Sequence, residues 1–563
     1  MTKAKKSRKG LKIFLIVLAS IILFCVVAGV VGYTASRARR TGGYEADPDE
    51  RIALDESGSI GRVKITTLPL AESTTLSRCS YSFSGRVIVV TREGADTVIT
   101  TMNDDGTDPL EVYRGSGAGT SRILPFKDNT RVLMGDNILE APEGYTLDNC
   151  PADSGRLVPI EFPREFSSDS AVVQKWTEVI IAPDCEHFAW TIRRSDCGAV
   201  NAMGSLKKSG DKYVIENAQY ISNMDGFIPD PDVRGRLIAR PVIGGEVKQF
   251  IDGGRAISLV GSAQNGMADS VKQDIATGEV TLLSCAPGYD ETTLLSPDER
   301  LGAVMTSRFS DKTDMGALGL VERPLGQPLH NILAQVYMYC VTGVRSGREG
   351  NVGPALVEMD RAVSDMEYKG VYLGDPGEEF IFRSPLSWND TGTKLMWIEG
   401  KKSGGGVRVR IAELLDYTPG NIAEAILTPD VGDYATAPAK SMDFAGKLYG
   451  KASGYAELTR RTGFLSNISI RIVYHDYSDD GISFYNGTEE SSGAILTDAD
   501  YKADITVTGA DGSQKGRLEA DVRFTAAYSI ARLFGANAPE LKSGSYARAE
   551  YLGKTRDFSH LVK

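Results

Sequence analysis

The sequence predicts an all-β protein: a β-propeller of about six to eight four-stranded blades, then a C-terminal antiparallel β domain, with one transmembrane helix in front. Three observations predict it. A turn built on Ser-Pro-Asp chemistry recurs, each time launching an apolar strand. Hairpins lie between the copies. A run of 21 apolar residues at 13–33 stands apart from everything that follows.

The first 12 residues carry six cations and no acid and are expected to stay in the cytoplasm. The apolar run after them is long enough to cross a bilayer core of roughly 30 Å as a helix. It is longer than a signal-peptide core, and "GYTASRA" after it makes a poor cleavage site, so an uncleaved anchor is expected. More cations precede the span than follow it, which places the N-terminus inside and the bulk of the chain outside a cell membrane. Residues 34–74 then read as a linker ending in a first strand. Its stretch 41–60 is polar, acidic and rich in Gly and Ser.

Residues 1–40 hold nine Lys and Arg and no acid, so the overall charge of −11 becomes −20 for the rest. An acidic exterior argues against phosphate contacts and hence against nucleic acid. Glycans, peptides, cations or another protein remain. Six cysteines lie beyond the anchor (Cys79, Cys150, Cys185, Cys197, Cys285 and Cys340), and no C-x-x-C occurs. Outside the cell these thiols are free to pair, with connectivity open. Cys185 and Cys197 flank one strand and are too far apart to bridge each other.

Clear copies of the turn and strand begin at "YSFSGRVIVV" (81), "LPFKDNTRVLM" (124), "IAPDCEHFAW" (181), "LSPDERLGAVM" (295) and "LSWNDTGTKLMW" (386). Looser ones are "IPDPDVRGRLIARP" (228) and "FIDGGRAISLVGS" (250). Pro presets one turn dihedral, Asp or Asn caps the turn, and Gly accepts positive φ. The segments 97–115 and 269–288 supply the hairpins of strand, tight turn and strand. Spacings of 44 residues between Gly85 and Asn129, and of 48 between Asp184 and Asp232, match one blade. The wider gaps around Asp298 call for insertions or a hidden blade, and 323–343 is the candidate for it. The propeller is assigned to 75–430. Long alternating strands with Asp-Gly and Asn-Gly turns fill 440–563, a β-rich domain or the final blades.

The turn units resemble TolB-type propeller repeats. In these an Asn-x-Asp-Gly hairpin precedes a Ser-Pro-Asp-Gly-(Lys/Arg) turn and an apolar strand. Asn103, Asp105 and Gly106 match the first part. Ser296, Pro297, Asp298 and Arg300 match the second, as do Trp388, Asn389, Gly392 and Lys394. The glycine after Asp is missing from "SPDER" and "APDCE". The resemblance implies a propeller over about 75–430 and leaves function open.

Chemistry is sparse. The four histidines, His187, His330, His475 and His560, are scattered, and neither H-E-x-x-H nor G-x-S-x-G occurs. His187 stands where other copies have Lys or Arg, and reads as a solvated turn residue. His475 beside Asp476 has the makings of an acid/base pair, though it reads more readily as a strand-end histidine. "SLKK" from Ser205 matches a nucleophile pattern in the wrong setting. The glycine-rich 115–121 lacks a following helix to bind phosphate. Acidic turns at 103–108, 229–232, 476–481 and 497–504 offer oxygens for Ca2+, but turn chemistry explains each, and no cofactor is expected. Catalytic and metal residues are unassigned. The expectation is therefore a membrane-anchored binding scaffold for an envelope glycan, peptide or protein. The competing class is a polysaccharide lyase or glycosidase with its site at the channel mouth.

Overall fold

The computed structural model describes residues 42–562 except 46–49, 57, 117–122, 164–165, 167–171, 195–198, 224–225, 241–243, 263–266, 326–329, 436–442, 464–466, 494–496 and 527–537. The expected anchor at 13–33 lies outside the described residues, and no helix among them is long and apolar enough to cross a membrane.

Strand pairing divides 62–414 into six successive four-stranded antiparallel units. The first pairs Thr75–Tyr81, Val87–Glu93, Asp96–Met102 and Leu110–Gly115. The second pairs Ile123–Pro125, Arg131–Met134, Asn137–Glu140 and Arg156–Glu161. The third pairs Val172–Ile181, His187–Arg194, Ala199–Ser209 and Lys212–Tyr220. The fourth uses Glu246–Ile251, Ala256–Ser262, Ala268–Asp274 and Val280–Leu282. The fifth uses Asp290–Leu295, Leu301–Thr306, Pro354–Glu358 and Val371–Tyr372. The sixth takes Phe380–Trp388, Lys394–Lys401 and Gly406–Leu414, and its fourth strand, Arg62–Thr67, comes from the front of the chain.

That borrowed strand closes a ring. Strand Gly42–Tyr44 adds a second clasp, running parallel to the third strand of the sixth unit and antiparallel to the first strand of the first. Apolar packing follows the same circuit, because a separate buried cluster fills each seam between neighbouring units. Ile88 and Val90 of the first unit meet Val132 and Met134 of the second, while Val87 and Val89 meet Met396 and Val409 of the sixth. Phe126 and Val158 meet Phe188 and Trp190 across the second seam, and Ile180 and Met203 meet Phe250 and Ile257 across the third. Ile251 and Leu283 meet Val304 and Tyr368, and Leu301 and Met305 meet Phe382 and Trp397, across the last two. Strands buried on both faces read as continuous apolar runs, which is why "VIVV" and "LGAVM" lack alternation.

Two long gaps in the repeat resolve differently from the expectation. The copy at 228 is no blade: Phe227–Pro229 and Leu237–Ala239 form a separate two-stranded hairpin, because its Pro, Asp and Gly close a longer turn, from Asp230 N–H to Arg236 O, between three-residue strands too short to join a unit. The true fourth copy is the other loose candidate, at 250. Nor is 323–343 a hidden blade. Residues 307–353 are an insertion between the second and third strands of the fifth unit, carrying helix α1, His330–Tyr337, a wider turn Met338–Thr342 and a short helix Gly343–Arg345.

The C-terminal segment forms one eight-stranded antiparallel meander, from Phe444–Tyr449 through Ile468–Ser478, Ser483–Gly493 and Ala499–Gly509 to Lys554–Asp557, and not two more four-stranded units. Its strands alternate: Ile470 and Ile472 are buried while Arg471 between them is exposed. The buried face closes over the insertion, whose Leu318, Val321, Ile332 and Val336 share one core with Ile470, Tyr474, Ile505 and Leu518.

At the centre of that contact Arg323 and Glu489, 2% and 0% exposed, form an ion pair of 3.1 Å. Tyr474 and Tyr501 donate to the same carboxylate at 3.0 and 2.9 Å, and Arg323 also donates to the carbonyls of Leu318 and Val321. The edges of the meander are fastened too. Lys447 N–H donates to Gly235 O of the hairpin at 2.8 Å, and Arg556 reaches Asp314 and Glu367 of the fifth unit.

Candidate functional site

The first strand of a unit packs against the first strand of the next, as seen between the first and second, third and fourth, fourth and fifth, and sixth and first units. Five of these six first strands are bulged, at Leu76/Arg78, Thr177/Ile180, Val247/Gln249, Glu291/Leu294 and Phe382/Leu386. A bulge re-aims side chains out of the alternating pattern. At Glu178, Thr292 and Ser384 it forces positive φ on non-glycine residues, 46°, 57° and 65°.

What the bulges bring together is an ionic cluster. The Lys248 ammonium, 3% exposed, lies 2.9 Å from Glu246, 3.3 Å from Glu178 and 3.3 Å from Glu291. Arg193 pairs with Glu246 at 3.0 Å, and Tyr289 donates to Glu291 at 2.5 Å. Tyr337 at the end of α1 stands over the group, its ring 6.2 Å from that of Tyr289. Burial alone would lower the lysine pKa, but the three carboxylates outweigh it and hold the ammonium well above its ordinary value. Burial, then Glu291, pushes the Tyr289 phenol well up, and the same two causes take Tyr337 up to about 12.

A lysine held charged is no nucleophile or base at neutral pH, and a phenol held neutral donates but does not take part in proton transfer there. The cluster can therefore join the third, fourth and fifth units electrostatically. Neither its lysine nor its two phenols are poised for acid/base work.

The second feature is the crown formed by the six recurring turns, which follow the first strand of each unit. Five share one geometry, in which the third turn residue donates back to the residue three before it. That donor has positive φ every time: Gly85 (80°), Asn129 (56°), Cys185 (62°), Glu299 (57°) and Gly392 (72°). The fourth unit turns with Gly253 and Gly254 instead. The copies lacking glycine have thus kept the backbone shape, at the steric cost of a Cβ in the left-handed region.

Adjacent turns touch around the crown. Asp252 N–H donates to Glu299 at 2.6 Å, Arg131 donates to Cys185 O at 3.4 Å, and a Cβ on Gly392 would stand 3.1 Å from Pro297. Asp148 joins the first two turns, taking Asn129 at 2.7 Å and lying 3.6 Å from Arg86.

Across half of the crown runs a strap, residues 417–434, with no helix or strand of its own. At the fifth turn Asp298 accepts from the Tyr417 hydroxyl at 2.6 Å and from Gly420 N–H at 2.7 Å, and Ala423 N–H donates to Pro297 O at 3.1 Å. At the fourth, Ile426 N–H donates to Gly253 O at 2.9 Å. At the third, Asp184 accepts from Thr428 N–H at 2.9 Å while its other bonds hold His187 Nδ1 at 2.7 Å and Glu186 N–H at 2.8 Å. Tyr434 ends the strap on Ile275 O and Gln273. Partial burial raises the pKa of both carboxylates, but these donors more than offset it and hold Asp184 and Asp298 below the usual aspartate value.

Of the residues singled out from sequence, His187 is part of this clamp rather than a free surface residue. His475 stacks on Tyr455 at 4.7 Å, while Asp476 takes the Asn486 amide at 2.7 Å, so the suggested acid/base pair is not made. Ser205 sits within a strand opposite His187, His330 opens α1, and His560 lies in the last turn. In three of the acidic turns carboxylates bind their own backbone, Asp105 on Thr107, Asp230 on Asp232 and Val233, Asp480 on Ile482 and Ser483, whereas at 497–504, mostly strand, Asp498 takes Ala526 N–H and Lys542. Among the described residues no three His, Cys, Asp or Glu converge to hold a metal ion. Cys79, Cys150, Cys185, Cys285 and Cys340 are free thiols, and Cys197 lies outside the described residues.

Sequence reasoning missed Glu178, Lys248, Glu246 and Glu291, which carry no local motif, and it missed the strap.

No protein-family model matches the chain, and no curated protein matches it. Among solved structures it is similar to TolB from Acinetobacter baumannii, at 13% identity over 64% of this chain and 68% of that one, TM-score 0.30. An oligogalacturonate lyase from Vibrio parahaemolyticus matches at 10% identity, 66% and 98% coverage and TM-score 0.32. A puromycin-hydrolysing peptidase from Mycobacterium tuberculosis matches at 12%, 75% and 60%, and 0.30. These neighbours are TolB-like and other β-propeller proteins.

Proposed function

We propose that this chain is a six-bladed propeller displayed outside a cell membrane by its N-terminal segment, acting as a binding scaffold for an envelope glycan, peptide or protein. The observation that carries the reading is the axial cluster. Its titratable groups are spent on one another, with Lys248 surrounded by three carboxylates and Tyr289 bound to one of them. Such a centre fixes geometry and leaves recognition to the rim. The blade count is supported by the six seams of apolar packing between neighbouring units. The apolar run at 13–33 and the cations before it speak for anchorage.

The test is to incubate the full-length protein, in mild detergent, with cell-wall glycans, anionic polysaccharides and envelope-protein extracts, measuring both binding and product. Saturable binding without turnover is the expected result. Release of shortened or unsaturated sugars would replace the scaffold with a lyase or glycosidase. Protease protection of the N-terminus in sealed vesicles tests the orientation separately.

A further inference from the structure

We propose that the strap is a displaceable internal ligand, and that the groove it fills across the third, fourth and fifth turns is a binding site for an extended polypeptide segment. The inference rests on the scaffold reading and names a partner class for it.

The grip on the strap is a grip on backbone. Gly420, Ala423, Ile426 and Thr428 each present a main-chain N–H to an acceptor on one of three successive turns, two of these being carboxylates and two carbonyls. Recognition through main-chain hydrogen bonds holds an extended chain with little regard for its sequence.

The strap is anchored by side chains near its ends, Tyr417 in the core and Val431 and Tyr434 against the fourth unit, but its middle is not. Ile422 and Leu427 are 53% and 69% exposed, and between the buried Tyr417 and Thr428 no side chain is buried. A segment with few buried apolar contacts opens at low free energy without unfolding its neighbours. Lifting it leaves the Asp184 and Asp298 carboxylates short of donors that an incoming peptide's N–H groups replace. The uncovered turns are built otherwise. In the second turn Asp128, at the position of Asp298, is already taken by Arg131 and Thr130. In the first and sixth turns the position is Ser84 and Thr391. Among these turns, carboxylates that accept main-chain donors from outside their own turn are thus confined to those beneath the strap.

The test uses the full-length chain and a labelled synthetic peptide of residues 417–434. Ala423→Pro with Thr428→Pro removes two of the strap's N–H donors and leaves every groove residue in place. The peptide is expected to bind this variant at least tenfold more tightly than the unaltered protein, in which the tethered strap competes at high effective concentration. Adding Asp184→Ala and Asp298→Ala should abolish that binding. Hydrogen exchange supplies a second readout: in the unaltered protein the Ile426 and Thr428 amides should exchange by local opening, well ahead of Val89 and Val304. The proposal is overturned if the peptide binds both proteins equally or neither, with circular dichroism showing the variant folded. It is equally overturned if the strap amides exchange only with global unfolding. If peptide binding fails while the protein still captures an envelope component, the groove inference falls and the scaffold reading stands.

Discussion

In the ring, Ile88 and Val90 turn toward the second unit while Val87 and Val89 of the same strand turn toward the sixth, and all four are buried. In the C-terminal meander, Ile470 and Ile472 are buried, but Arg471 faces water and pairs with Glu490 at 2.6 Å. One region is a circuit in which every sheet is covered on both faces by its neighbours. The other is a single sheet with one covered face, and what covers it is an insertion sent out by the ring. Five of the ring's six seams pack without the meander, and only the fifth–sixth seam runs on into the core it shares with it. The meander depends on the ring, because the Leu318, Val321 and Val336 that pack on its buried face belong to the fifth unit's insertion.

The sharpest way to break this asymmetry is Glu489→Ala. It strands the buried Arg323 charge and should cost about 3–5 kcal/mol. The loss should fall on the meander: in urea the near-ultraviolet signal of its tyrosines is expected to disappear before the ring unfolds. A single coincident transition would mean that the two regions are not separable.

Substitutions along one strand come next. Ile88→Ala and Val89→Ala should each cost roughly 2–4 kcal/mol, because both faces are core. Ile470→Ala should cost a similar amount and Arg471→Ala less than about 1 kcal/mol, because an exposed pair contributes little. Equal costs at 470 and 471, read from urea midpoints, would remove the one-faced description.

Alkaline pH should weaken both regions through different groups. Tyr474 and Tyr501 of the meander are held well above the ordinary phenol value of 10.0, first by burial, with Glu489 also raising them. Lys248 of the ring is held above the ordinary value of 10.5 by its carboxylates, against the opposing effect of burial. For each group the unfolded chain loses its proton first as pH rises. The unfolded state then binds fewer protons and stability falls. Stability should therefore be flat near neutrality with respect to these groups and decline above about pH 10. Tyr501→Phe should lessen the decline of the meander's transition and leave the ring's unchanged, as followed by thermal melts across pH.

The smallest effect is a gain. Cys185→Gly relieves the left-handed strain in the third turn and should stabilise the ring by up to about 1 kcal/mol, while Gly85→Ala should destabilise it by at least as much. Opposite signs in the melting temperatures would confirm that the turns share a backbone rather than a sequence.

These regions were also legible in the sequence to different degrees. The crown turns could be read because Pro183, Pro297, Asp298 and Gly392 shape the backbone locally, whatever they pack against. The same locality misled at 228, where Pro229, Asp230 and Gly235 write a turn of similar composition but greater length into a hairpin outside the ring. The meander's alternation was plain because one face is wet. Nothing local announced α1, whose apolar residues resemble those of a buried strand. The axial cluster was invisible for another reason: Glu178, Lys248 and Glu291 come from three units, and only closure of the ring places them together. The strap, without periodicity, had no pattern to read.

The borrowed strand also sets an order of events in time. Arg410 of the last unit donates to Thr67 across a separation of 343 residues. At about 5–20 residues per second, roughly 20–70 seconds of synthesis separate the two. During that interval the first five units are made in turn while both seams of the sixth stay open, and Arg62–Thr67 pairs only with Arg51–Leu54. The nascent protein therefore carries an unpaired edge and a half-built apolar face until nearly three-quarters of it has been made. Partners that cover exposed strands matter to this chain during its production, before any ligand reaches the finished ring.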